Sequence, residues 1–81
     1  MHPKNKFIAI VDGVRIQFER FVNGENQEPA YMAIIHAHTG SPSSVLLHQK
    51  EGNWQIMDDN ASAVFLHLHF AINELIRANE R

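Results

Sequence analysis

Apolar and polar positions along the first part of the chain fall into short segments of period two. Phe7-Ile8-Ala9-Ile10-Val11 and Val14-Arg15-Ile16-Gln17-Phe18 flank Asp12-Gly13. An Asp-Gly dipeptide between two such segments predicts a β-hairpin, because the tight turn that matches strand twist needs positive φ at both central residues. Pairing then runs Val11 with Val14, Ala9 with Ile16 and Phe7 with Phe18. Those six residues share one face, while Ile8, Ile10, Arg15 and Gln17 share the other.

The polar run from Asn23 to Pro29, with Gly24 inside it, predicts a loop, and Ala30 to His38 a third strand. Gly40-Ser41-Pro42-Ser43 ends that strand. Glu51-Gly52 then joins a fourth strand, about 44–50, to a short fifth, about 53–57, in a second hairpin that sets Leu47 opposite Ile56 and Leu46 opposite Met57.

From Asn60 onward the period changes. Val64, Phe65, Leu68, Ala71, Ile72, Leu75 and Ile76 recur at spacings of three and four, the stripe of a helix lying on a core. Asp58, Asp59 and Asn60 stand where a helix cap belongs, and capping accounts for them without an acidic metal or acid–base role. The fold class expected is α+β: an antiparallel meander of four to five strands with one C-terminal helix packed on one face, a single small domain over residues 1–81.

Such an architecture shelters one sheet face only, and the other should be polar in a soluble monomer. Here it is not. Ile8 and Ile10 fall on it by the first hairpin, and Leu46 and Met57 by the second. In the third strand, turning Tyr31, Ala33, Ile35 and Ala37 toward the helix leaves Met32, Ile34, His36 and His38 outside. On the helix, Leu66 and Phe70 lie four residues apart and opposite the core stripe. Each large apolar side chain left in water forgoes about 1.5–3 kcal/mol, so Ile8, Ile10, Leu46, Met57, Leu66 and Phe70 are read as interface. A homo-oligomer is the simplest partner, since one patch can pair with its own copy, and an accessory-subunit role with another protein is the variant of that reading. Two blander explanations compete with it: scattered apolar exposure is normal in soluble proteins, and a strongly twisted sheet can curl over its own back face.

Composition narrows the chemistry. A chain of 81 residues and 9.3 kDa has no cysteine, which excludes disulfides, thiolate metal sites and cysteine nucleophiles together. A net charge of −2 argues against general attraction to nucleic acid or anionic membranes. Lys4, Lys6, Arg15, Arg20 and Lys50 are offset by Glu19, Glu25, Glu28 and Glu51 without a stacking series of aromatics, so a nucleic-acid-binding module is only a second alternative. The four glycines stand singly, which is not the pattern of a phosphate-binding loop. No nucleophile elbow or oriented triad can be read around Ser41, Ser43 and Ser44, and an enzyme is not expected. The absence of an apolar leader run or a membrane-length apolar stretch leads to a cytoplasmic expectation.

Six histidines are the compositional oddity. His36 and His38, two apart on a strand, project from the same face, and His48 on the next strand could add a third nitrogen if the register matched. Zinc is therefore the alternative to a protein with no cofactor. His67 and His69, two apart on a helix, point in divergent directions and cannot form the same clamp.

Overall fold

The structure, a computed structural model, describes residues 3–24, 28–36, 42–58 and 63–81. Five strands, β1 (Lys6–Val11), β2 (Val14–Asn23), β3 (Glu28–Ile35), β4 (Ser43–Lys50) and β5 (Asn53–Ile56), form one antiparallel sheet in sequence order. Helix α1 (Ala63–Glu80) follows and packs on one face. The predicted α+β meander is the observed one. The sheet is open, with β1 and β5 at opposite edges, and does not curl shut.

Both predicted hairpins form in the predicted register, Phe7 opposite Phe18 and Leu47 opposite Ile56. Their turns place Asp12 and Gly13 at φ 50° and 77°, and Glu51 and Gly52 at 54° and 83°. A non-glycine residue in that region costs about 1–2 kcal/mol, which Asp tolerates better than Glu because its short carboxylate bonds locally. The loop expected over 23–29 is shorter than expected. β2 runs on to Asn23, and Val22 and Asn23 pair with Pro29 and Glu28. Pro29 fits because β4 reaches β3 only from Ala30 onward, so a missing N–H on that side breaks no ladder bond. The third strand ends at Ile35 rather than His38, and residues 37–41 lie outside the described residues. So do Asp59 and Asn60, two of the three cap candidates, and the helix is described from Ala63.

The core is the helix-facing side of the sheet. Ile16, Phe18, Tyr31, Ala33, Val45, Leu47 and Trp54 are buried against Phe65, Leu68, Ile72 and Ile76 of α1. The third strand turns Tyr31 and Ala33 to the helix, as expected, and the bulkier Met32 and Ile34 outward. Phe7 stacks on Phe18 at 4.7 Å between ring centres, and Tyr31 meets Trp54 edge to face at 5.0 Å. Aromatic pairs of this geometry add about 0.5–1.5 kcal/mol beyond area burial.

Candidate protein-interaction surface

Register decides what the open face carries. One row across the sheet runs Lys6, Glu19, Met32, Leu46, Met57; the next runs Ile8, Gln17, Ile34, Ser44. Ile10 lies beside Arg15, and Phe21, Ala30, His48 and Gln55 form the row at the other end. Ile8 is 51%, Ile10 72% and Met57 58% exposed. Met32, Ile34 and Leu46 are half-buried. Met32, Leu46 and Met57 line a shallow depression of about 410 Å³ with Ser44, Val45 and Asp58. The Lys6–Glu19 ion pair, 3.7 Å across the first row with the lysine largely exposed, is of the kind that contributes little to stability.

Of the six residues singled out as interface, Ile8, Ile10, Leu46 and Met57 share this surface. Leu66 and Phe70 are also exposed, but they lie on α1, off the stripe of Phe65, Leu68 and Ile72 that packs on the sheet, and Phe70 borders a depression of about 320 Å³ with Asn53, Trp54 and Gln55 of β5. The six residues therefore divide between the open sheet face and the helix.

Among the described residues, His36 and His48 stand far apart. His48 pairs with Ala30, and His36 stands six residues further along β3, about 20 Å away at roughly 3.3 Å per residue. At that separation one ion does not bridge His36 and His48. His38 lies outside the described residues. His36 instead sits 3.3 Å from the Gln17 side chain, Nε2 to Oε1. Among the described residues no group of three or more histidines and carboxylates is arranged to hold a metal ion.

Two polar arrangements escaped the sequence pattern, and both hold α1 in place. At the end of the helix, Tyr31 Oη donates to Glu80 Oε2 at 2.6 Å and accepts from Asn79 Nδ2 at 2.7 Å. Arg20 Nε donates to the same Glu80 oxygen at 2.7 Å, and Asn79 exchanges hydrogen bonds with the main chain of Lys4 at 3.0 and 3.1 Å. Burial alone would raise the Glu80 pKa, but hydrogen bonds from Arg20 and Tyr31, with the guanidinium charge, outweigh it and hold the carboxyl below its usual range. The Glu80 hydrogen bond raises the Arg20 pKa. Burial, reinforced by the Glu80 contact, pushes the Tyr31 phenol up to about 12.

The second arrangement lies along β5. The Met57 N–H bonds the Leu46 carbonyl at 2.9 Å, so by antiparallel alternation the main-chain groups of Trp54 point out of the sheet. There Asn73 Oδ1 accepts from the Trp54 N–H at 2.7 Å, and His69 Nε2 bonds the Trp54 carbonyl at 2.7 Å. The helix thus closes the β5 edge with its own side chains. Asn73 and His69 lie four apart on one helical line, a spacing visible in the sequence, but nothing there tells that a strand edge runs beside them.

Comparison with family models, with curated proteins and with solved structures finds no match for this chain. Among the described residues no helix is long and apolar enough to cross a membrane.

Proposed function

We propose that the chain acts through protein contact, as a homodimer. The observation that supports this is the exposure of Ile8, Ile10 and Met57 on a face over which no described residue forms a second layer, beside half-buried Met32, Ile34 and Leu46. Contiguous apolar patches with polar neighbours mark contact sites, and here Arg15, Lys50 and Gln55 supply the polar margin. A second copy is the partner that needs nothing beyond the patch itself, because a two-fold axis sets one surface on its equal.

Light scattering over a concentration series tests the proposal. The wild type is expected at twice 9.3 kDa, and Ile10→Glu, which sets an unpaired carboxylate in the contact, at the single mass with an unchanged circular dichroism spectrum. A wild type that stays at the single mass at the highest concentration refutes self-association.

A further inference from the structure

The two edges of the sheet are treated differently. β5 has only four residues, and the outward main-chain groups of Trp54 are taken by Asn73 and His69. β1 has six residues and no such cover. The Arg20 N–H bonds the Asn5 carbonyl at 2.7 Å, so Asn5, and by alternation Phe7, Ala9 and Val11, turn their main-chain groups toward β2. Lys6, Ile8 and Ile10 turn theirs out of the sheet, and among the described residues no hydrogen bond reaches them. Soluble proteins ordinarily blunt such an edge with proline, a bulge or several charges. β1 has one lysine and, in its middle, Ile8-Ala9-Ile10.

We infer that β1 is the joint of the homodimer: two copies pair their β1 strands antiparallel about a two-fold axis at Ala9, and their sheets run on as one. This rests on the self-association proposed above and sets the contact at the β1 edge, where Ile8 and Ile10 meet their copies, rather than across the open face where Met32, Leu46 and Met57 lie. The occupant is argued from the strand's fit to itself. In this register Ile8 of each copy lies opposite Ile10 of the other, Phe7 opposite Val11, Ala9 opposite Ala9, and Lys6 opposite Asp12 at both ends. The residues whose main-chain groups point outward then face one another and exchange hydrogen bonds. Charge meets opposite charge and apolar meets apolar, which are the favourable cross-strand pairs. Moving the axis to Ile8 sets Lys6 against Ile10 and loses that match. On the helix side, a groove of about 510 Å³ runs between β1 and α1, with Phe7, Ile8, Leu75 and Ala78 as its apolar lining. The Val11 side chain of the second copy, set beside Phe7, comes to its mouth. The axis is perpendicular to the sheet, so both helices stay on one side and both open faces join on the other, bringing Ile8 and Ile10 of the two copies into one apolar strip.

The chain has no cysteine, so single-cysteine variants report the contact directly. Directly opposed residues of a non-hydrogen-bonded pair have Cα atoms about 4.5 Å apart, within the range a disulfide spans. Under mild oxidation Ala9→Cys is expected to shift in full to a disulfide-linked dimer on a denaturing gel, while Met32→Cys, in the middle of the open face, runs there at the single mass. Met57→Glu, remote from the joint, keeps the wild-type dimer. If Met32→Cys links and Ala9→Cys does not, the copies meet face to face: the edge inference is overturned and the protein-contact reading stands. If the wild type is monomeric and neither variant links, both fall. Hydrogen exchange on the unmodified protein covers a variant that fails to fold. Amide protection at Lys6, Ile8 and Ile10 must rise with the dimer fraction, and unprotected amides in a sample that scatters as a dimer overturn the inference.

Discussion

Tyr31→Phe isolates one hydroxyl at the point where helix and sheet are tied. The ring stays against Trp54, so packing is preserved, while the 2.6 Å bond to Glu80 and the 2.7 Å bond from Asn79 are lost. Hydrogen bonds to charged groups are worth about 1.5–3 kcal/mol. Glu80 keeps Arg20, its side chain is 22% exposed so that water can replace the phenol, and Asn79 keeps the Lys4 carbonyl. The expected loss is therefore at the low end, about 1.5–2 kcal/mol, or a melting temperature lower by roughly 6–16 °C for a domain of this size. Urea unfolding at neutral pH measures it, with an unchanged dependence on denaturant. The effect carries a pH signature. The folded Glu80 pKa is lowered from 4.5, so its stabilisation is complete above that value and is lost as pH falls through the lower folded value. The difference between wild type and variant should shrink in that acid range. Tyr31 is raised from 10.0 to about 12, so its contribution is complete below pH 10 and is lost as pH rises from there through about 12. The variant should lack this alkaline step. A loss under about 0.5 kcal/mol at neutral pH, or one undiminished in acid, refutes the anchor as described.

Two further substitutions probe the rest of the scaffold. Asn73→Leu removes the acceptor of the Trp54 N–H and should cost about 1–3 kcal/mol by urea unfolding, with Asn73→Asp, which keeps an acceptor oxygen, recovering most of it. Ile72→Ala, at a fully buried position, should cost about 2–5 kcal/mol by thermal melting, whereas Leu66→Ala on the outer helix face should stay within about 0.5 kcal/mol; equal effects would mean that the helix presents a different face to the sheet.

Most of the architecture was legible in the chain because it depends on neighbours in sequence. Asp12-Gly13 and Glu51-Gly52 mark two turns, through the glycines and Asp12 that suit positive φ, and a two-residue turn leaves only one register for the strands it joins. The stripe from Phe65 to Ile76 declared a helix by its period. The facing of β3 was less determined, since the opposite orientation would bury more apolar volume, and the structure turns Tyr31 and Ala33 to the helix. The ends of β2 and β3 did not follow, because polar residues and a proline argued for a loop where pairing between two strands carried the ladder on to Asn23 and Glu28.

What periodicity determined, then, is which side chains share a face: Ile8, Ile10, Leu46 and Met57 on one, Leu66 and Phe70 on another. Tertiary structure decided how those faces stand to one another, separating the helix pair from the sheet residues and His36 from His48. It also joined Arg20 and Tyr31 to Glu80, and Trp54 to Asn73 and His69, closing one sheet edge and leaving the other open. The physical reason is one of range. Alternation and helical period are properties of a few consecutive residues, whereas an ion pair or an edge cap spanning the chain exists only once a packed core has fixed the helix over the sheet.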